Sequence, residues 1–260
     1  MRVALGIAYR GSAYRGWQSQ PGGQTVQDQV ERALASFADR PVSSVSAGRT
    51  DAGVHALNQV VHFDTAAERS EQAWVRGTNR YLPGDIAIQW CRFVPEAFHS
   101  RANAIGRRYA YVLLESRVRP ALEAGQVGWT FRGLDGERMG EAAKALVGRH
   151  DFSAFRSAEC QAPSPVKDLR SLGIDRRGDY WRFDFEADAF LHHMIRNVMG
   201  ALVAVGSGAR DPAWLAEVLE RKDRALAAAT FAPDGLYFLG PYYDAVHAIP
   251  ERTPAMSWIP

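Results

Sequence analysis

Cysteine is nearly absent from this 260-residue chain. Cys91 and Cys160 are too few for a disulfide framework and stand in no metal-ligand spacing. No apolar run approaches the roughly 18 residues needed to span a bilayer, which argues against a membrane protein. The opening Met1-Arg2-Val3-Ala4-Leu5-Gly6 passes directly into a strand-like pattern, without an apolar signal core or small-residue cleavage site. A reducing cytoplasm is therefore the expected compartment. The absences extend to chemistry. No Walker-type phosphate loop and no dinucleotide fingerprint follows a strand, no Gly-x-Ser-x-Gly elbow is present, and neither cysteine has the histidine context of a thiol enzyme. Lysine is scarce too, since only Lys144, Lys167 and Lys222 are lysines among 31 basic residues. Guanidinium groups grip phosphates bidentately and stack on bases, which suits RNA. A GC-rich genome would produce the same bias through its codons, and a net charge of +2 does not choose between the two.

What is present reads as two successive α+β halves, 1–100 and 101–260, each pairing sheet with helices on one side. In the first, Val3 to Tyr9 is a strand, followed by a Gly/Ser/Gln-rich loop to Gly23. Thr25 with Asp28 three residues on forms a capping box, and Val26, Val30, Ala33, Leu34 and Phe37 share one helical face. Val42 to Ser46 and Gln59 to Phe63 read as strands, Trp74 to Asn79 as helix and Ile86 to Phe93 as strand. In the second half, Arg108 to Leu114 alternates, with Tyr109, Tyr111 and Leu113 on one face. Asp135 caps a helix with Met139, Ala142, Ala143 and Leu146 inward. Leu172–Arg176 and Tyr180–Ala187 flank a Gly178-Asp179 turn as a hairpin. A long helix is predicted from about Leu191 to Val205, stopping at Gly206 as C-cap. Asp211-Pro212 opens another helix with Pro at N1, and Gly235 to Leu239 is the last strand. The two sheets are expected to meet around a cleft.

One stretch carries a strong catalytic signal: Gly48-Arg49-Thr50-Asp51-Ala52-Gly53-Val54-His55-Ala56. It sets a single carboxylate between glycines on a turn between strands, where backbone and ligand can approach closely. A bare Asp-Ala-Gly would read as a solvated hairpin turn. On the predicted long helix, His192 and His193 fall off the apolar face, as do Arg196 and Asn197. Adjacent helical histidines point in different directions and no carboxylate stands at a matching spacing, so a metal site is not expected. Arg196 suits partnership with a carboxylate from elsewhere in the fold, holding it ionised where burial would protonate it. Tyr109 reads as core packing or as a stacking platform. Trp17 and Tyr14, beside Arg10 and Arg15 in a glycine-rich loop, either contact RNA or plug the loop onto the core.

The nine-residue string resembles the catalytic-aspartate signature of the TruA family of tRNA pseudouridine synthases, and the likeness runs along nearly the whole chain. Tyr9-Arg10-Gly11-Ser12-Ala13-Tyr14-Arg15-Gly16-Trp17-Gln18 is similar to the family's opening block, departing from it at Arg10, where Asp is usual. Phe98-His99-Ser100-Arg101, Arg108-Tyr109-Ala110-Tyr111, Asp151 to Arg156, Phe190 to Asn197 and Gly235-Leu236-Tyr237 follow in the family's order. The resemblance implies a pseudouridine synthase fold: two α+β halves sharing an extended central antiparallel sheet, with helices packed on one side and a central active-site cleft. It implies a homodimer that acts on the tRNA anticodon stem-loop, isomerising uridines on its 3′ side without cofactor or metal. It makes Asp51 the nucleophile, Tyr109 the active-site tyrosine and Arg196 the aspartate's partner, with Arg49 contacting the RNA backbone; the loop reading adds Arg15 and Trp17 as candidate substrate contacts. The alternative is a non-catalytic RNA-binding protein on the same scaffold, against which Asp51 itself speaks, because an acid repels phosphate.

Overall fold

The computed structural model describes residues 1–251, and the class is α+β with mostly antiparallel pairing. Two units divide the chain. Among the described residues, one is 1–106 together with 237–251, and the other is 107–236.

In the first unit, β1 (Arg2–Tyr9) lies between β3 (His55–Asp64) and β4 (Ile86–Val94), antiparallel to both, with Leu5 opposite Val61 and Cys91. The short β2 (Val45–Ser46) pairs with β3. Val3, Ala4, Leu5 and Ile7 are fully buried, which is why β1 reads as a continuous apolar run. Helix α1 (Val26–Ala38) starts as its capping box dictates. Thr25 Oγ1 accepts the Asp28 N–H at 3.3 Å and donates to the Asp28 carboxylate. Helix α2 (Glu71–Asn79) begins three residues before the predicted Trp74, because Ser70 caps it by accepting the Ala73 N–H at 3.2 Å. Trp74 packs edge-on against Phe37 and Phe63, with ring centroids 5.2 and 5.3 Å away.

The second unit contains β5 (Ala104–Glu115), β9 (Tyr180–Ala187), β8 (Val166–Arg177) and β7 (Gly148–Asp151), paired antiparallel in that order. The short β6 (Gly128–Thr130) runs parallel to β5. The β8–β9 hairpin turns at Gly178, whose φ of +60° suits glycine. Trp181, Phe183, Phe185 and Ala187 are buried at every second position of β9. The one-face pattern expected for β5 does not hold: every residue from Tyr109 to Leu114 is buried, so that stretch is covered on both faces. Helix α3 (Gly136–Lys144) is capped by Asp135, whose carboxylate accepts the Glu137 and Arg138 N–H groups at 2.9 and 3.1 Å.

Helix α4 (Met194–Gly206) starts three residues later than predicted. His193 has φ +63°, in the left-handed region, and cannot belong to the helix. Gly206 is the last helical residue and no cap; a Cβ there would come within 2.8 Å of Met139, so α3 and α4 close on it. Helix α5 (Ala213–Arg221) follows Pro212, one position from the predicted start. The last strand, β10 (Leu236–Tyr243), was expected in the second half. It runs parallel to β3 in the first unit, with Tyr237 opposite His55 and Phe238 opposite Ala56. Among the described residues no helix is long and apolar enough to cross a membrane.

Candidate active site

The first unit presents Asp51 on a turn that is fastened at nearly every other residue. Gln59 Nε2 donates to the Gly48 carbonyl at 2.6 Å. Thr50 Oγ1 meets the Tyr9 hydroxyl at 2.7 Å, and the Thr50 carbonyl accepts the Trp17 N–H at 3.0 Å. Val54 N–H donates to the Asp51 carbonyl at 3.2 Å, closing the turn, while Gly53 takes φ +82°. His55 Nδ1 accepts the Gly11 N–H at 3.0 Å, and its ring stacks on Tyr237 with centroids 4.5 Å apart and planes 24° from parallel. Thr50, Val54 and His55 are buried while Asp51 is only partly so. The frame is rigid, and the carboxylate stands at its edge.

Two glycines let the opening loop seat that turn. A Cβ on Gly11 would stand 2.0 Å from the Val54 carbonyl oxygen, and one on Gly16 would stand 2.5 Å from that of Thr50. Gly16 also holds φ +85°. The family-like opening block therefore serves the aspartate turn through backbone contact. The glycines were visible in the sequence, but what they face was not.

Trp17 corrects one expectation. It is 1% exposed and packs on Tyr9 with centroids 5.8 Å apart, so it plugs the loop onto the core and has no face for substrate. Tyr14 donates its hydroxyl to Asp85 Oδ1 at 2.6 Å, and burial together with that carboxylate pushes its phenol well above the usual range. Arg15 and Arg49 are exposed. Arg49 Nε donates to Gln18 Oε1 at 3.1 Å, and Gln18 bonds onward to Gln27 of α1.

In the second unit, Tyr109 on β5 is 8% exposed, with its ring edge-to-face against Phe190 at 5.1 Å. Arg196 lies in the first turn of α4, partly buried, and its Nε donates to the Phe231 carbonyl at 2.9 Å. The backbone returns the contact, Phe231 N–H to the Arg196 carbonyl at 3.1 Å. Burial and the charge of Asp234 push the neighbouring Tyr111 phenol well above its ordinary value, opposed by Arg196. The two histidines differ from the helical reading. They precede α4, and the αL turn at His193 brings their rings together, with centroids 4.1 Å apart. Helical periodicity was the wrong geometry for them.

An α+β protein that fixes one partly exposed carboxylate on a glycine-seated turn, two residues from Arg49, has the features of an enzyme working through a positioned acid. Residues 6–101 and 142–244 match the family described as tRNA pseudouridine synthase. Asp51 and Arg196 fall inside those stretches, and Tyr109 lies between them. The chain is 72% identical over 260 residues to tRNA pseudouridine synthase A of Methylibium petroleiphilum, and 61% identical over 264 residues to that of Polaromonas naphthalenivorans. Both alignments cover all of each chain. The same full coverage holds for the Paracidovorax citrulli protein of that name, at 60% over 278 residues. The chain belongs to the TruA family of tRNA pseudouridine synthases, which are isomerases. That membership carries the catalytic reading and leaves the non-catalytic alternative without support.

Proposed function

We propose that this chain isomerises uridine to pseudouridine on the 3′ side of the tRNA anticodon stem-loop, with Asp51 as nucleophile. The observation that carries this reading is the aspartate turn: its backbone and neighbours are tied down while the carboxylate stands at the edge of the frame. The reaction breaks the C1′–N1 bond, turns the uracil and joins C1′ to C5, while C5 loses a proton and N1 gains one. Nothing is oxidised and no group leaves, so the chemistry calls for no cofactor. A base inside a stem must first be flipped out, at a cost of about a few kcal/mol. Tyr109 stacks on the flipped uracil. Arg196 supplies the positive charge that keeps Asp51 ionised once RNA covers it and hydration is lost. Arg49 and Arg15 contact the RNA backbone, a role that fits their exposure. The active form is a homodimer in the cytoplasm.

Mapping of pseudouridine in tRNA incubated with purified Asp51→Asn tests this. The variant is expected to fold and bind tRNA while producing no pseudouridine. Product from a preparation free of wild-type enzyme would end the proposal, and light scattering of the wild-type protein decides the dimer.

A further inference from the structure

Asn197 follows Arg196 on α4 and is wholly buried, yet its amide bonds to segments other than its own helix. Nδ2 donates to the Phe155 carbonyl at 2.8 Å. Oδ1 accepts from Thr230 Oγ1 at 2.7 Å and from Arg224 Nη2 at 3.1 Å. Arg224 closes the triangle by donating to Thr230 Oγ1 at 3.1 Å, and its Nη1 reaches the Ala228 carbonyl at 2.9 Å. The segment 228–232 thus lies as a strap along α4. Gly200, one turn beyond Arg196, permits the closeness, since a Cβ there would stand 2.1 Å from the Ala229 carbonyl oxygen. Tyr111 secures the far end by donating to the Ala232 carbonyl at 2.8 Å.

The strap carries the Phe231 carbonyl that receives Arg196 Nε. A guanidinium is a planar fork, so once Nε is committed to one acceptor, the position of that acceptor decides where the other N–H groups point. We propose that Asn197, Thr230 and Arg224 form a knot that sets the direction of the Arg196 guanidinium, making them positioning residues for the isomerisation. This rests on the assignment of Arg196 made above. Packing alone does not call for the knot. Met194, Ile195, Val198 and Leu202 of α4 are already buried as apolar core. A buried amide is costly unless it is fully bonded, and the hydroxyl that satisfies it comes from Thr230, an exposed residue.

Steady-state release of tritium from tRNA carrying C5-tritiated uridine provides the test. Thr230→Val keeps the branched shape at an exposed position and removes only the hydroxyl. It is expected to lower kcat about tenfold, within the hundredfold that a misplacement of about 1 Å can cost, with KM unchanged within about twofold. Thr230→Ser restores kcat, and Arg224→Gln behaves like Thr230→Val. In an Arg196→Lys background, Thr230→Val adds no further loss, because no planar fork remains to be aimed. Wild-type kcat in Thr230→Val, with Arg196→Lys impaired, overturns the knot and leaves Arg196 in place. A full additional loss in the double variant also overturns it. Wild-type kcat in Arg196→Lys removes the Arg196 assignment and the knot together.

Discussion

Replacing Gly11 with alanine asks whether the aspartate turn works because of where its backbone is held. The new Cβ would stand 2.0 Å from the Val54 carbonyl oxygen, 2.6 Å from its carbon and 3.1 Å from the Gly53 carbonyl carbon. All three are backbone atoms, which cannot swing aside as a side-chain end would. Ordinary contact begins at 3.4 Å, so loop and turn must part by about 1 Å. Parting them stretches the 3.0 Å bond from Gly11 N–H to His55 Nδ1 beyond hydrogen-bonding range. Overpacking of this kind costs roughly 1–3 kcal/mol, and the lost buried bond adds about 1 kcal/mol. At about 2–4 °C for each kcal/mol, the expected fall in Tm is roughly 5–15 °C. Moving the turn by about 1 Å is expected to lower kcat about a hundredfold, while tRNA affinity changes little. Calorimetry and tritium release from C5-labelled uridine measure the two effects. Gly84→Ala is the control, since its Cβ meets nothing within 4 Å and its cost should stay within about 0.5 kcal/mol. A Gly11→Ala protein with wild-type Tm and kcat would refute the idea that close approach places Asp51.

Tyr109→Phe should retain affinity and lower kcat, whereas Tyr109→Ala should also raise KM about tenfold, because stacking on a base contributes about 1–3 kcal/mol; alanine kinetics equal to wild type would make the ring scaffold only. The dissociation constant for tRNA, measured by filter binding, should rise steeply between low and moderate salt, and a flat salt dependence would exclude phosphate-led binding. Burial, aided by the charges of Arg2 and His99, pushes the His62 imidazole down from its ordinary 6.5 to about 4. The unfolded chain then binds a proton between those values that the native protein does not, so stability is full above about pH 6.5 and falls as pH drops towards 4. His62→Gln should flatten that limb of a plot of Tm against pH, and an unchanged slope would refute the assignment.

Local signals in the sequence were reliable where local chemistry decides. Thr25 with Asp28, and Asp135 ahead of Met139, announce α1 and α3 because a cap is a bond between near neighbours. The alternation of Trp181, Phe183 and Phe185 announces β9. The Asp51 turn was legible as a candidate through the whole nine-residue string from Gly48 to Ala56, since an acid between glycines is by itself ordinary turn chemistry. What escaped depends on partners distant in the chain. That Gly11 abuts Val54, that His55 stacks on Tyr237, and that Trp17 is buried on Tyr9 are facts of packing with no sequence period. The α4 start was misread because an αL histidine obeys no propensity rule; the apolar set from Leu191 onward continues across the break. Strand β10 was placed in the wrong unit because proximity in sequence is only a prior for proximity in space.

That last strand has a consequence for how the protein comes into being. The first unit is made of stretches on either side of Arg107–Leu236, so its strands β1 to β4 leave the ribosome before that segment and β10 only after it. Until β10 is synthesised, β3 lacks its parallel neighbour and His55 lacks the ring beneath it. The whole of Arg107–Leu236 must emerge in between, and closing so long a loop makes these contacts slow to form. The nascent chain therefore holds its aspartate turn without full bracing until the whole of Arg107–Leu236 has been made, and the turn acquires its final support only once β10 follows.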